Sequence, residues 1–450
     1  MHGSFRRPLK IAVVGSGISG LSAAWLLSQA HDVTLYESDA RLGGHANTAS
    51  VPQADGSQIA VDTGFIVYNE ATYPNFTALM AYLAVETKAT EMSFAVSLDQ
   101  GRLEYAGTNL SGLFAQRRNL LSPRFWSMLN DLRRFYAQAS RDGAALTSSG
   151  QSLGDYLDAG RYGKAFREDH LLPMSAAIWS APCAEILSYP AAAFIRFHHN
   201  HGLLQLTDRP AWRTIAGGSR TYVERLKQAF SGRLQTGCQV RRIHRSADGI
   251  LLEAARSGIE RYDQVVIATH ADQALALLAE PSAEESALLG AFRYSQNRAV
   301  LHTDATLMPK RRTAWASWNH LGNSNAPEAP CAVTYWMNLL QGLTSDNPLF
   351  VTLNPPQEPR FDAVLGEEMY DHPIFDGPAL AAQSRLWSLQ GVNGVWFCGA
   401  HFGSGFHEDG LQAGLAVAED LGGVKRPWSV TNESGRIVRT PLRPALESAS

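Results

Sequence analysis

Residues 10–27 of this 450-residue chain read KIAVVGSGISGLSAAWLL. The β-branched opening of this stretch, residues 10–14, predicts a buried strand, and the glycine-rich turn after it leads into a helix predicted over about residues 19–29. A second β-branched run, residues 32–37, predicts a second strand. Strand, glycine turn, helix and strand in this order predict a βαβ unit, which places a binding site at the carboxyl ends of its strands.

The glycine turn has the spacing G-x-G-x-x-G over residues 15–20. Its first glycine allows a tight turn, its second lets the backbone approach a diphosphate, and its third lets the helix pack closely on the sheet. The backbone N–H groups at the start of the helix favour a phosphate group. The predicted binding residues of the turn are Gly15, Ser16, Gly17, Ile18, Ser19 and Gly20.

Glu37 ends the second predicted strand and is followed by Ser38. A carboxylate at this position accepts hydrogen bonds from ribose hydroxyls and repels a 2′-phosphate, so it disfavours NADP. A second glycine pair follows directly, and together with an arginine it suits a longer diphosphate cofactor, with a simple surface turn as the alternative. This segment adds Arg41, Leu42, Gly43, Gly44 and His45 to the predicted site.

Nucleotide-type signals occur at both ends of the chain and again in its middle, so a second domain must interrupt the first. Further strands are predicted at residues 239–244, 249–254, 264–268 and 395–398, with helices at 219–230 and 410–421. The predicted fold is α/β, with a Rossmann-type domain and an interleaved α+β substrate domain. The first comprises residues 1–66, 212–290 and 391–425, the second comprises residues 67–211 and 291–390, and residues 426–450 form a loose tail.

Composition excludes several classes of protein. The net charge of −3 argues against a nucleic-acid partner, which requires a concentrated basic face. The four cysteines have no CxxC or zinc-like spacing, so we expect reduced thiols, no metal site and a cytoplasmic location. The basic and apolar N-terminus imitates an export signal, but its cleavage would delete the glycine turn. We predict no transmembrane helix.

These motifs resemble those of the flavin amine oxidase and phytoene desaturase superfamily. The glycine turn, Glu37 and residues 41–45 are similar to its FAD signature, and VDTGF at residues 61–65 is similar to the turn that runs under the flavin in that family. The resemblance covers residues 9–95, 212–280 and 391–422. It implies an amine oxidase-like two-domain fold and FAD bound noncovalently, because no cysteine lies where covalent members link the flavin.

The resemblance also implies further cofactor-binding residues. In the family, a valine lies beside the adenine, a glycine at a strand end contacts the pyrophosphate, and the last helix points its N-terminus at the flavin edge, where reduced flavin carries negative charge. The matching positions of this chain are Thr63, Gly64, Phe65, Ile66, Val240, Ala268, Gly399, Ala400, Asp409, Gly410 and Leu411.

Two departures from the family pattern concern the substrate. Many amine oxidases of the family place an aromatic cage residue before the last helix, and Phe406 takes that position here. A lysine that the family often holds near flavin N5 is absent, and Asn297 or Arg298 occupies the matching stretch. Both departures weaken an amine oxidase assignment without affecting FAD.

We therefore carry three hypotheses. The first is an oxidase, dehydrogenase or desaturase that moves a hydride from a carbon of an apolar lipid or fatty acyl chain to flavin N5. It follows a resemblance to the bacterial branch of the family that is associated with modified fatty acid synthesis. The second is a flavin amine oxidase, and the third is a non-catalytic FAD-binding protein. Candidate catalytic residues are His407 and Glu408, and candidate substrate contacts are Tyr68, Arg298, Trp318, Trp336 and Phe406.

Residues 117–136 predict a basic, aromatic helix. One interpretation is peripheral contact with the inner face of a membrane, and the other is a helix packed on the substrate domain with a solvated basic face. The electron acceptor, oxygen or a quinone, and the oligomeric state stay open.

Overall fold

The computed structural model describes residues 7–146, 150–200, 203–204 and 210–442. Residues 1–6 of the predicted first domain and residues 443–450 of the predicted tail lie outside this part of the chain. In chain order, the strands are β1 (Lys10–Val14), β2 (Asp32–Tyr36), β3 (Thr48–Pro52), β4 (Gln58–Asp62), β5 (Tyr68–Asn69), β6 (Thr87–Thr90), β7 (Phe94–Leu98), β8 (Leu103–Ala106), β9 (Trp212–Ile215), β10 (Arg233–Gln235), β11 (Val240–Ser246), β12 (Gly249–Ala254), β13 (Gly258–Tyr262), β14 (Gln264–Ile267), β15 (Arg293–His302), β16 (Trp318–Gly322), β17 (Ala332–Trp336), β18 (Phe350–Leu353), β19 (Val364–Ile374) and β20 (Val395–Phe397).

The helices, in the same order, are α1 (Ile18–Leu27), α2 (Pro74–Tyr82), α3 (Leu110–Leu113), α4 (Pro123–Leu146), α5 (Leu153–Ala159), α6 (Lys164–Phe166), α7 (Leu172–Trp179), α8 (Cys183–Ile186), α9 (Ala191–Asn200), α10 (Arg220–Ala229), α11 (Ala271–Leu277), α12 (Ala283–Leu289), α13 (Met337–Leu340), α14 (Gly377–Gln383) and α15 (His407–Gly422).

A parallel sheet in the order β10-β2-β1-β14-β20 forms the centre of the first domain. Its middle strand β1 is an almost unbroken apolar run, as expected for a strand covered on both faces. The chain passes from β1 to β2 on one side, while β14 lies on the other side. The two loops that leave β1 and β14 therefore diverge and open a crevice at the carboxyl ends of the strands. The predicted α/β fold is confirmed.

Helices α1 and α15 pack against each other at unusually short range and join the two ends of the chain. A Cβ atom on Gly414 would lie 2.2 Å from the Ser19 carbonyl oxygen, and one on Gly410 would lie 2.8 Å from Ser19 Oγ. At Gly414 the added atom would meet a backbone carbonyl, which leaves room only for glycine, whereas at Gly410 it would meet the side chains of Ser19 and Ile18. The contact brings the loop after β1 and the loop after β20 to the same crevice.

The second domain is built on a seven-stranded mixed sheet in the order β19-β15-β18-β17-β16-β7-β8. A helical layer formed from α4 to α9 packs its own aromatic core beside this sheet. The 3-10 turn at Arg117–Leu121 and helix α4 together account for the helix predicted over residues 117–136. This sheet and its helical layer form the second domain, which interrupts the first in sequence.

Two predicted boundaries need correction. Residues from Tyr68 to Val85, assigned to the second domain, bury their apolar side chains in the core of the first, because α2 packs against α15. Helix α14 and Trp387, also assigned to the second domain, join the same core. Sequence periodicity gives no signal for which of two adjoining cores a helix enters.

The C-terminal segment was predicted to be a loose tail, but its described part, residues 426–442, is attached to the first domain. Arg426 is 6% exposed, and its guanidinium binds the Glu419 carboxylate at 2.7 and 2.8 Å. Arg436 binds the Asp409 carboxylate with its Nε at 2.7 Å and its Nη2 at 3.1 Å. Buried ion pairs of this geometry tie the segment to α15, which a polar and proline-containing composition does not reveal.

Cys238, Cys331 and Cys398 are buried and Cys183 is partly exposed, and all four are free thiols. No helix in the described ranges combines the length and the apolar character needed to cross a bilayer.

The close contact between the first and last helices is testable with Gly414→Ala. Alanine normally stabilises a helix interior relative to glycine. Here the added methyl meets a backbone carbonyl, so we expect the free energy of unfolding to fall by about 1–3 kcal/mol, measured by urea denaturation. Gly366→Ala is the control, since a Cβ there meets nothing within 4 Å. Equal stability of the two variants would contradict the packing argument.

Candidate active site

A cavity of about 690 Å³ runs from the crevice of the parallel sheet into the second domain. One half is lined by the loops that leave β1, β2, β14 and β20. The other half is lined by α7, α9 and the seven-stranded sheet. Its volume lies within the range of cofactor and drug-sized ligand sites.

The glycine turn forms one wall of this cavity. Gly15 adopts φ +100°, a left-handed conformation that favours glycine, and a Cβ on it would lie 2.9 Å from the Ala268 carbonyl oxygen. Gly17 is the N-cap of α1, and neither a side-chain cap nor a neighbour within 4 Å of its missing Cβ is present. The first N–H groups of α1 therefore face an open cradle that suits a diphosphate. Gly20 packs the helix onto the turn, as predicted.

Glu37 lines the cavity at the end of β2 and organises the glycine turn. Its Oε2 accepts hydrogen bonds from the Ser16 N–H at 2.9 Å and from Ser16 Oγ at 2.5 Å. Its Oε1 accepts from the Asp39 N–H at 2.9 Å and from Ser38 Oγ at 3.0 Å. The carboxylate predicted to select the ribose thus also sets the position of the backbone that would hold the phosphates.

The second glycine pair lies against the first. The Gly43 N–H donates to the Ser16 carbonyl at 3.0 Å, and a Cβ on Gly44 would lie 3.2 Å from Gly17 Cα. Arg41 donates to the Gly44 carbonyl at 2.7 Å, and neither Arg41 nor Leu42 lines the cavity. These two predicted site residues therefore support the cradle from outside the cavity.

Most of the other predicted cofactor residues do line the cavity. Val240 lies with Cys238 and Gln239 near Glu37, at one end. The remaining predicted residues that line it are Ser16, Ile18, Ser19, Ser38, Gly43, Gly44, His45, Thr63, Gly64, Phe65, Ile66, Ala268, Gly399 and Ala400. Segments far apart in sequence thus converge because they leave neighbouring strands at the same edge of the sheet.

The start of α15 differs from the prediction. The helix begins at His407 rather than Gly410, and the Gly410 N–H already donates to the Phe406 carbonyl at 3.1 Å. The N–H groups without an intrahelical acceptor are those of His407, Glu408 and Asp409. Gly410 and Leu411 pack inside the protein, so the free N–H groups at this helix start precede the residues predicted at the flavin edge.

His407 lines the cavity and is held rigidly. Its ring stacks on Phe65 with centroids 3.7 Å apart, and its Nε2 lies 2.8 Å from the Tyr222 hydroxyl. Burial lowers the pKa of His407 to about 3. The stacking on Phe65 and the contact with Tyr222 fix the orientation of the ring, which supports a positioning role, and the catalytic role of His407 stays a prediction.

Glu408 points away from the cavity. Its Oε1 accepts from the Asn75 N–H at 3.1 Å and its Oε2 accepts from the Phe76 N–H at 2.9 Å, which are first-turn groups of α2. Gln412 and the Asn75 side chain also donate to it. Burial raises the pKa of this carboxyl. The structure therefore assigns Glu408 to capping α2 and not to catalysis.

Four further histidines gather along the cavity wall, and only His45 among them was predicted. The His45 ring lies 6.2 Å from that of His270 and 5.5 Å from that of His372. His270 stacks on Tyr294 at 4.5 Å, and His401 lines the same wall. Burial lowers the pKa of all four, to about 4 for His372 and about 3 for His401. These four imidazoles are therefore polar but uncharged.

A sequence signal existed for two of these histidines. His270 follows the predicted strand at 264–268, and His401 follows Gly399-Ala400, so both stand at carboxyl ends of strands, where ligands bind. His372 lies inside β19 of the other domain, and only the tertiary structure brings it near.

The predicted substrate contacts divide into two groups. Trp318 and Phe406 line the cavity. Tyr68 is buried in the first core, and Trp336 packs edge-on against Trp315. Arg298 projects from the far face of the sheet and pairs with two glutamates, Glu358 and Glu367. The last three predictions are wrong because alternation along a strand places them on the opposite face or outside the cavity.

A comparison of the sequence with protein families identifies a matching family. The profile of the flavin-containing amine oxidoreductases matches residues 18–302. No curated protein matches the sequence.

Several solved structures share the fold over nearly their whole length. A putrescine oxidase with bound putrescine is 13% identical with a TM-score of 0.66, over 92% of this chain and 99% of that chain. Cyclohexylamine oxidase from Brevibacterium oxydans is 16% identical with a TM-score of 0.66, over 92% of this chain and 100% of that chain. A fatty acid isomerase from P. acnes is 13% identical with a TM-score of 0.64, over 93% and 99%.

Buried neutral histidines predict acid sensitivity. The pKa is lowered for eight of them: His45, His198, His270, His302, His320, His372, His401 and His407. Below about pH 6.5 the unfolded chain binds protons that these folded histidines do not, so stability falls as pH drops toward about 4.

The carboxyl groups of Asp62 and Glu408 have raised pKa values, so they add stability as the pH drops. Two such carboxyl groups oppose eight histidines, and the histidines are expected to dominate. We expect the Tm to drop by at least about 5 °C between pH 7 and pH 5. Scanning calorimetry measures the Tm, and a Tm that is constant between pH 7.5 and 8.5, where the histidines do not titrate, is the reference. A Tm that stays constant or rises on acidification would refute the neutral assignment.

The capping role of Glu408 predicts that Glu408→Gln lowers the free energy of unfolding by about 1–3 kcal/mol, because one amide N–H₂ would then face backbone donors. Urea denaturation measures the loss. Glu224→Gln on the exposed face of α10 is the matched control and should stay near the wild-type value. An unchanged stability of Glu408→Gln would contradict the capping role.

Proposed function

This chain belongs to the flavin-containing amine oxidoreductase family and is an FAD-dependent oxidoreductase, and we propose that its substrate is an uncharged apolar chain of a lipid or fatty acyl group. The observation that carries the proposal is the chemistry of the cavity half that lies in the second domain.

The cofactor half fits FAD. Gly15 and Gly44 adopt left-handed backbone conformations that favour glycine, Gly17 leaves the start of α1 open, and Glu37 stands at the end of β2. When bound, FAD supplies the two-electron acceptor for a hydride that leaves a substrate carbon. The chain's own contribution is to bind, to orient and to exclude water.

The part of the substrate half that is formed by α7, α9 and strands β16, β17 and β18 is apolar. Among the cavity-lining residues that the structure describes, the charged side chains are Glu37 and Asp371. Asp371 lies on β19 at the edge of the seven-stranded sheet, where it acts on His270 and Tyr294. The substrate half is lined by Met92, Ala177, Ile178, Trp179, Phe197, Leu203, Trp212, Trp318, Tyr335, Leu353 and Phe406. Apolar chains gain free energy here in proportion to the area they bury.

An amine fits this half poorly. A protonated amine that leaves water needs a carboxylate or several acceptors, and an unpaired charge in an apolar cavity costs several kcal/mol. No lysine lines the described part of the cavity, in agreement with the missing family lysine. The fatty acid isomerase that shares this fold supports a fatty chain as a substrate type for the scaffold.

One polar group in the substrate half can orient a substrate. Trp318 Nε1 is buried without a hydrogen-bond partner while its ring lines the cavity, edge-on to Tyr335 at 4.9 Å. A free indole N–H suits an ester or carboxyl oxygen. Trp318 is therefore the residue that we expect to hold the polar end of an acyl chain, while the aromatic and aliphatic side chains enclose its apolar part.

The substrate class is testable by anaerobic mixing of the purified holoprotein with two panels, methyl-branched or unsaturated phospholipids and common amines. We expect loss of the visible absorbance of oxidised flavin with lipids alone. Bleaching by amines alone would overturn the proposal. Denaturation beforehand should release free FAD, since the cofactor is expected to be noncovalent.

Trp318→Phe tests the orienting role, with Trp336→Phe as its matched control. Both indole N–H groups are buried and unpaired, but only Trp318 lines the cavity. We expect Trp318→Phe to raise the apparent Kd of a lipid that reduces the flavin by about fivefold. This factor corresponds to the loss of one hydrogen bond of about 1 kcal/mol. Equal effects of the two variants would argue against a Trp318 contact.

A further inference from the structure

A folded surface of the second domain exposes several large apolar side chains together. Leu121 is 88% exposed, Leu110 75%, Trp126 50% and Leu120 48%. They lie on three consecutive short elements, α3, the 3-10 turn at Arg117–Leu121 and the first turn of α4. We call Leu110, Leu120, Leu121 and Trp126 the leucine–tryptophan face. Single exposed leucines are common, whereas a cluster of this kind marks an interaction site.

The face is held in place by the fold and is not a frayed loop. Trp126 Nε1 donates to the Leu120 carbonyl at 2.9 Å, and the Asn109 side chain accepts from the Gly112 N–H at 2.8 Å to cap α3. Phe114 lies 5.9 Å from the rings of both Trp126 and buried Phe125. The apolar side chains are therefore presented outward by a rigid platform.

Cations surround the face. Arg117 and Arg118 precede Leu120 and Leu121 in sequence, with one asparagine between the two pairs, and residues 107–130 contain no acidic residue. Helix α3 packs against the turn at Arg312–Ala314, which brings Arg312 beside the same surface. Among the ion pairs of the described residues, none involves Arg117, Arg118 or Arg312. The local surface is thus cationic although the whole chain carries a net charge of −3.

We infer that the leucine–tryptophan face docks on an anionic lipid bilayer. Exposed leucine and tryptophan flanked by arginine is the pattern of interfacial membrane binding: the apolar side chains enter the headgroup boundary while the guanidinium groups meet lipid phosphates. Charge complementarity selects an anionic bilayer over a second copy of this chain, whose matching face would be equally cationic.

One layer of apolar packing lies between the leucine–tryptophan face and the cavity. Helix α4 leaves the face and buries Phe135 in the helical core, which also contains Phe194 and Phe197. Phe197 lines the substrate half of the cavity and stacks on Phe406 at 5.1 Å. Docking on a bilayer would therefore place this helical layer between the membrane and the site. The inference stands on the surface alone and can hold for any substrate.

The test is sedimentation of the full-length holoprotein with sucrose-loaded vesicles, either of phosphatidylcholine alone or of phosphatidylcholine with phosphatidylglycerol. We expect binding to the anionic vesicles that weakens as salt is added. The Arg117→Gln/Arg118→Gln double variant should bind about 25-fold more weakly, at roughly fivefold for each arginine near an anionic surface. Leu121→Ser should lose at least about tenfold.

Phe361→Ser is the matched control, because Phe361 is also highly exposed but lies outside the face. It should bind like the wild type. FAD content and the Tm of each variant show that it folds. Equal binding to both vesicle types, no binding by the wild type, or equal binding by the face variants would overturn the inference. So would a concentration-dependent dimer of the vesicle-free protein that Leu121→Ser dissociates.

Discussion

The contact between the first and the last helix is the constraint on which the rest of the site depends. Gly414 and Gly410 of α15 let its backbone reach Ser19 of α1, so the loop after β1 and the loop after β20 share one crevice. A side chain at either glycine would separate two halves of a cradle whose parts are almost 400 residues apart in sequence. Close packing of this kind transmits any change in one helix to the other, because interiors have little free volume.

The C-terminal segment reinforces the same helix from the outside. Arg436 binds the Asp409 carboxylate, and the same carboxylate accepts the Phe406 N–H at 2.8 Å, so one acid both caps α15 and anchors the returning chain. Glu408, its neighbour, caps α2. Two adjacent acids at one helix start thus connect α15 with two other segments, while the side chains of Phe406 and His407 remain available to line the cavity.

Neutrality of the cavity links the fold to the chemistry. Burial keeps its histidines uncharged, and Glu37 and Asp371 are the charged side chains in its described lining. Such an environment favours an apolar chain and leaves orientation to a few groups such as Trp318 Nε1. The outer surface of the same domain has the opposite character, since a rigid apolar face lies among arginines. The proposed lipid substrate and the proposed docking on a bilayer rest on these two separate surfaces of one domain.

Local pattern alone determined the βαβ opening, the glycine cradle from Gly15 to Gly20, Glu37 and the interleaving of two domains, because glycine spacing and strand periodicity depend on near neighbours in sequence. Only the tertiary structure decided which polar side chains meet. Glu408 and His407 are adjacent in sequence, but helical geometry turns one toward α2 and the other toward the cavity. His372 reaches the site from a strand of the other domain, and Arg298, on that domain's sheet, faces away from it. Such choices depend on the packing of distant segments, which no local pattern records.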